Sequence, residues 1–150
     1  YRCVQKNQFS GSELFQRVCH AVEGFQFYQK GGITEEVDGN TCYLYAKYDA
    51  IKPDHSAIKD VKTVADYKSG KYLKGFQHRL YCYISGAKTF DYVIAEWAEY
   101  PKLKNVYGEH YDAPEREVLQ ADVHHEIREC FGVLKDLGLW ELYREKYCLY

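Results

Sequence analysis

Several patterns are missing from this 150-residue chain, and each absence excludes a class of protein. No apolar run approaches the roughly 18 residues of a transmembrane helix, so no membrane span is predicted. No run of Lys or Arg exceeds two residues and the net charge is −2, which argues against nucleic acid as a partner. Methionine is absent and the chain begins at Tyr1, so we expect a mature product whose signal peptide has been removed.

Motifs for catalysis and metal binding are missing as well. The chain has no nucleophile elbow, phosphate-binding loop, dinucleotide fingerprint or zinc-protease motif. His124 and His125 are adjacent on a predicted helix, point about 100° apart and cannot share a metal. Asp122, His125 and Glu129 do fall on one helix face, which we interpret as a solvated polar face. We therefore predict no enzyme activity, no cofactor and no metal site.

Cysteine, in contrast, is plentiful for a chain of this length. Six cysteines are spread along the whole sequence without any CxxC pair: Cys3, Cys19, Cys42, Cys82, Cys130 and Cys148. An even number at such spacing predicts three disulfides in a secreted domain. The alternative is a set of scattered free thiols in a cytosolic protein. Six cysteines allow about 15 pairings, so the spacing leaves the connectivity open.

The patterning predicts one domain, residues 1–150, with a helix, then strands, then a long helix. Ser10 can cap the first helix, and Glu13 stands in capping-box position. The predicted strands follow at roughly ten-residue spacing, a pattern typical of an antiparallel barrel or sandwich. They cover residues 25–30, 41–49, 58–67, 76–84, 89–100 and 103–111. The long helix is predicted to start near Asp112 and Pro114 and to end at Gly138, with its apolar stripe packed outside the barrel.

The strand predicted at 89–100 offers the most specific candidate for a binding site. Its more apolar face, which we expect to point inward, carries Phe90, Tyr92, Ile94, Glu96, Ala98 and Tyr100. A carboxylate in an aromatic interior needs a partner, and a cationic ligand could supply it, with cation–π attraction from the tyrosine rings. The alternative is that no ligand is involved, and that the buried Glu96 is paired within the protein by Arg79, Arg17 or tyrosine hydroxyls. If the facing is reversed, Asp91 and Glu99 flank Trp97 inside instead.

Two stretches of sequence carry a resemblance to the salivary lipocalins of ticks. The first runs from the Glu13 helix through Phe25-Gln-Phe-Tyr to Thr41-Cys-Tyr-Leu-Tyr, and the second contains Glu129-Cys-Phe and the segment from Trp140 to Cys148. The resemblance implies a mainly β fold, a lipocalin-like antiparallel barrel with a short N-terminal helix and a long C-terminal helix packed outside. It also implies disulfides Cys42–Cys148 and Cys82–Cys130, with Cys3 and Cys19 left for each other.

The same resemblance implies a secreted scavenger that binds a small host mediator inside the barrel. The first candidate is a biogenic amine, histamine or serotonin, with Glu96 as counterion and Asp91 or Glu99 in reserve. An aromatic wall would surround the amine, formed by Tyr92, Tyr100, Trp97 and Tyr45.

The alternative ligand is an amphipathic lipid mediator: a leukotriene, thromboxane, fatty acid or sterol. It is favoured because Tyr83 stands where the amine binders of the family carry Asp. Its apolar cavity would be lined by Phe25, Phe27, Phe76 and Phe90. A third possibility is binding to a host immune protein or complement.

Overall fold

The computed structural model describes residues 13–99 and 102–147, the side chain of Tyr147 excepted, and has a mixed α/β architecture. In chain order, the elements are α1 (Glu13–Ala21), β1 (Gln26–Phe27), β2 (Lys30–Val37), β3 (Asn40–Lys47), β4 (Ala50–Ile51), β5 (Ala57–Val64), α2 (Gln77–Ser85), β6 (Thr89–Glu99), β7 (Lys102–Asp112), α3 (Arg116–Asp136) and α4 (Trp140–Tyr147). Among these residues, no helix is long and apolar enough to cross a membrane.

In the described residues the strands form two separate sheets and no closed barrel, so the predicted lipocalin-like barrel is wrong. Five strands make an open sheet in the order β1-β4-β5-β6-β7, and β2 and β3 form an antiparallel hairpin of their own. Within the larger sheet β5 and β6 run parallel, while the other neighbours are antiparallel. A parallel pair requires a crossover connection, and α2 lies in that connection.

The segment 76–84, predicted as a strand, is therefore a helix. Phe76, Leu80 and Ile84 are spaced by four residues, which fits both a strand of period two and a helix of period 3.6. Tyr83 breaks the strand alternation, yet it is fully buried, as a helix allows. Gly86 ends the helix in the left-handed conformation at φ 77°, and its N–H donates to the carbonyl of Cys82 over 2.8 Å.

The core lies between the five-stranded sheet, α2, α3 and the hairpin. Its members are Ala46, Tyr48, Ile51, Ile58, Cys82, Tyr83, Ile84, Ala87, Phe90, Tyr92, Ile94, Leu119 and Val123. The predicted inward face of strand 89–100 is confirmed for Phe90, Tyr92, Ile94 and Glu96, which are buried, whereas Ala98 is exposed and Tyr100 lies outside the described residues. Helix α1 contacts β6 and β7, and both faces of β6 contribute buried residues, including Val93 and Ala95.

The long helix is confirmed, although it starts later than predicted and packs elsewhere. Asp112 belongs to β7, and Glu115 occupies the N-cap position of α3. At the other end, Gly138 donates its N–H to the carbonyl of Lys135 over 2.9 Å, as expected for a residue that ends the helix. With no barrel to cover, α3 packs against α2 and β2, and its buried side chains include Leu119, Val123 and Phe131.

Candidate functional site

A cleft of about 630 Å³ is bounded by the β2–β3 hairpin, α2, α3 and α4. Its apolar and aromatic side chains are Tyr43, Leu44, Phe76, Leu80, Val123, Ile127, Phe131 and Tyr143. The remaining lining residues are Asn40, Thr41, Cys42, Glu126 and Cys130. Small-molecule sites in proteins have this size and this mainly apolar character.

Local sequence patterns place the walls of the cleft. On β3, alternation turns Cys42 and Leu44 toward the helices. On α3, Val123, Ile127 and Phe131 follow at i, i+4 and i+8 and form one stripe that faces the hairpin. The stripe was predicted from the sequence, but its opposite wall was not, because the packing of the hairpin on α3 is a long-range contact.

Polar contacts anchor the hairpin to the helices beside the cleft. Glu35 of β2 accepts hydrogen bonds from the Tyr83 hydroxyl at 2.6 Å, the Gln120 amide at 3.1 Å and the His124 ring at 3.0 Å. The hydrogen bond from Tyr83 is the main reason that the pKa of Glu35 is lowered, and burial raises the pKa of Tyr83 to about 12. These contacts make the hairpin a fixed wall.

Glu96, the predicted counterion for an amine, is buried and already paired within the chain. Lys104 donates to its Oε1 over 3.1 Å, the backbone N–H of Tyr67 donates to the same oxygen over 3.3 Å, and the Tyr107 hydroxyl donates to Oε2 over 3.1 Å. The hydrogen bond from Lys104 lowers the pKa of Glu96. Glu96 is therefore paired within the protein rather than by a ligand, and its cation is a lysine instead of the expected arginine.

Of the predicted aromatic wall, Tyr92 lies beside a second lysine, together with Tyr72, which was not predicted. The Lys62 ammonium lies 5.7 Å from the ring centre of Tyr92 and 5.8 Å from that of Tyr72, and these two rings stack at 5.2 Å. The same ammonium lies 2.8 Å from Asp60. The Tyr92 hydroxyl is 3.2 Å from Nδ1 of His78, whose pKa is lowered by burial.

The other predicted ligand-binding residues do not converge on one place. Phe90 packs against Tyr92 in the core, with ring centres 4.8 Å apart. Asp91 pairs with His110 at 2.5 Å and lies 3.7 Å from Lys59, away from Glu96 on the other side of the strand. Trp97 is half-buried, Tyr45 on β3 and Phe27 on β1 are exposed, and Tyr100 lies outside the described residues.

The cysteines stand in four different surroundings. Cys82 is buried in α2, Cys130 is exposed on α3 and lines the cleft, and the two are not bonded, which differs from the predicted Cys82–Cys130 disulfide. Cys19 is exposed on α1, and Cys42 is half-buried on β3. The predicted pairs Cys3–Cys19 and Cys42–Cys148 each include a residue outside the described part of the chain.

The structure shows no metal site in the part of the chain that it describes. No group of three or more His, Cys, Asp and Glu side chains is arranged there to hold a metal ion. On the helix face considered from the sequence, Asp122 pairs with Arg79 at 3.0 Å, while His125 and Glu129 are exposed.

Comparisons with known proteins give a likeness of fold. No family model and no curated protein matches the chain. Four chains among solved structures match it, and one of them is the archaeal protein in the crystal structure of SSO0001. That structure aligns with a TM-score of 0.54 at 15% identity, over 81% of this chain and 60% of its own. This chain therefore spans less than two thirds of that protein, and the likeness concerns the mixed α/β fold alone.

Proposed function

We propose that this protein binds a small amphipathic molecule in the cleft between the hairpin and α3. The observation that carries the proposal is the cleft itself, about 630 Å³ lined mainly by apolar and aromatic side chains. A ligand with an apolar body gains free energy by leaving water for such a lining. The few polar lining residues, Asn40, Thr41 and Glu126, can orient its polar end.

This proposal retains the amphipathic character of the ligand in the second sequence-based hypothesis, without its named lipid mediators, and moves the site. The interior around Glu96 and Tyr92 is a poorer candidate, because Lys104 and Lys62 already supply the cations that an amine would bring. An external amine would have to displace them and match their hydrogen bonds. Secretion, a salivary role and a host mediator stay predictions from the resemblance.

A neutral fluorescent probe, N-phenyl-1-naphthylamine, tests the proposal by its gain of fluorescence in an apolar site. We expect saturable binding at one site per chain. Ile127→Asp places a carboxylate in the apolar lining and should weaken binding by roughly tenfold or more. Ile127→Trp fills the same space without charge and should weaken binding as well.

Val133→Asp is the matched control, because Val133 lies on the same helix, is exposed and is not part of the lining. It should bind the probe like the unchanged protein, with circular dichroism confirming that every variant is folded. Absence of saturable binding, or equal losses in Val133→Asp and Ile127→Asp, would contradict the proposal.

A further inference from the structure

The described lining of the cleft contains an acidic side chain and no basic one. Glu126 is the one carboxylate among the lining residues, and the described lining contains no Lys, Arg or His. The other polar groups there are the sulfur atoms of Cys42 and Cys130, two tyrosine hydroxyls, an amide and the Thr41 hydroxyl. The cleft is therefore neutral to negative, and an anionic headgroup would find no counterion in it.

Glu126 is placed to meet a ligand at the mouth of the cleft. It follows Val123 by three residues and precedes Cys130 by four, so it shares the helix face that lines the cleft. Its side chain is exposed, and in the part of the chain that the structure describes no hydrogen bond or ion pair engages it.

Two basic side chains close to Glu126 in sequence, His124 and Arg128, point to the hairpin and are engaged there. Arg128 binds Asp38 at the tip of the hairpin, with Nε 3.0 Å from Oδ1. His124 donates to Glu35 over 3.0 Å. Asp38 and Glu35 of the hairpin thus have partners on α3, whereas Glu126 stays available, in contrast to Glu96, whose oxygens are all taken by protein donors.

We propose that the cleft selects an organic cation, an ammonium group on an apolar body, with Glu126 as its counterion. This inference rests on the proposed function. The apolar body lies along Leu44, Leu80 and Ile127, and the ammonium meets the carboxylate at the mouth. The ring of Tyr143, which also lines the cleft, adds attraction for the cation.

Three probes of equal chain length separate headgroup charge from apolar burial: decylamine, decanol and decanoate. Each is titrated against bound N-phenyl-1-naphthylamine at low salt. We expect decylamine to displace the probe most tightly, decanol next and decanoate most weakly. Glu126→Gln should weaken decylamine by roughly fivefold, the scale of a partly exposed ion pair, and leave decanol unchanged. Raising the salt concentration should shrink the preference for the amine.

Glu129→Gln is the matched control, because Glu129 is the next carboxylate on α3, is exposed and does not line the cleft. It should keep the full preference for decylamine. Decanoate binding as tightly as decylamine, or an unchanged preference in Glu126→Gln, would overturn the inference while leaving the cleft as an apolar site. Failure of all three probes to displace the dye would overturn the proposed function too.

Discussion

At the scale of single residues, two adjacent glycines in β2 offer a controlled test of packing. A Cβ on Gly31 would collide with the hydroxyl of Tyr48, and it would lie 3.1 Å from Cζ of that ring and 3.2 Å from Cγ2 of Ile84. Tyr48 is only 2% exposed and cannot move away. We expect Gly31→Ala to lower the free energy of unfolding by about 2 kcal/mol, the cost of overpacking a core. Urea denaturation measures it.

Gly32→Ala is the control, since a Cβ there also collides with a tyrosine hydroxyl, that of Tyr43. Tyr43 is 69% exposed, so its ring can swing into solvent. The free energy of unfolding should stay within about 0.5 kcal/mol. Adding Tyr48→Phe to Gly31→Ala should restore part of the lost stability, because it removes the nearest clashing atom. Equal effects of the two glycine substitutions would show that the ring of Tyr48 is not fixed.

The sequence was enough to predict which way a side chain points, but it was not enough to predict which residue that side chain contacts. The alternation along β6 was enough to predict that Glu96 points inward. Its partner Lys104 comes from β7, where β6 and β7 are out of register beside Glu96, and no local pattern predicts such a contact. The predicted arginines are elsewhere: Arg79, for example, pairs with Asp122. An inward carboxylate therefore indicated a buried ion pair without identifying its cation.

At the scale of elements, one carboxylate of β7 makes three of the hydrogen bonds that hold the loop between β5 and α2 to the sheet. Glu109 accepts the Tyr67 hydroxyl at 2.8 Å and the backbone N–H groups of Tyr72 and Leu73 at 3.1 and 3.0 Å. Glu109→Ala leaves these partly buried donors without a protein acceptor, which should cost about 1 kcal/mol, the low end for an unsatisfied donor. We expect the amides of Tyr72 and Leu73 to lose hydrogen-exchange protection before the strands do.

Tyr67→Phe separates the contributions, because it removes one of the three hydrogen bonds and keeps the two backbone contacts. Its amides at Tyr72 and Leu73 should stay protected. Glu99→Ala removes an exposed carboxylate from the same sheet and should leave exchange in the loop unchanged. Loop protection that survives in Glu109→Ala would mean that apolar contacts of the loop suffice to hold it.

The sequence predicted the type of an element correctly where its apolar residues fitted either the strand period of two or the helix period of 3.6, but not both. The strands β3, β5, β6 and β7 and the helices α1 and α3 lie where the sequence predicts them, with ends shifted by a few residues. The type of α2 was predicted wrongly, because apolar residues four apart satisfied both periods, and β2, β4 and α4 were not predicted. Aromatic side chains favour strands, but the burial of Tyr83 beside Cys82 favours a helix, and tertiary packing decided between the two.

At the scale of the whole molecule, the misread helix also accounts for the wrong architecture. With residues 76–84 as a strand, β5 and β6 would be separated by another strand, and an antiparallel barrel would follow. With those residues as α2, β5 and β6 become parallel neighbours, and the sheet stays open with β1 and β7 at its edges. The cleft could not be predicted either, because it exists only where the separate hairpin meets α3.

The rate at which Cys82 is alkylated should measure the stability of the whole molecule. Its side chain is fully buried, and burial raises its thiol pKa to about 12, so the folded protein offers almost no thiolate there at mildly alkaline pH. Cys19 and Cys130 are exposed. Iodoacetamide should therefore alkylate Cys19 and Cys130 in the folded protein within minutes, and Cys82 only at a rate proportional to the unfolded fraction.

Peptide mass mapping of the unreduced protein over a urea series measures these rates separately. Labelling of Cys82 should rise with urea in step with unfolding followed by circular dichroism, while labelling of Cys19 should hardly change and serves as the control. The predicted Cys82–Cys130 disulfide gives a different result: both cysteines stay unlabelled without reductant, and their two peptides remain linked. In that case α2 and α3 would be covalently joined beside the cleft, because Cys130 is one of its lining residues.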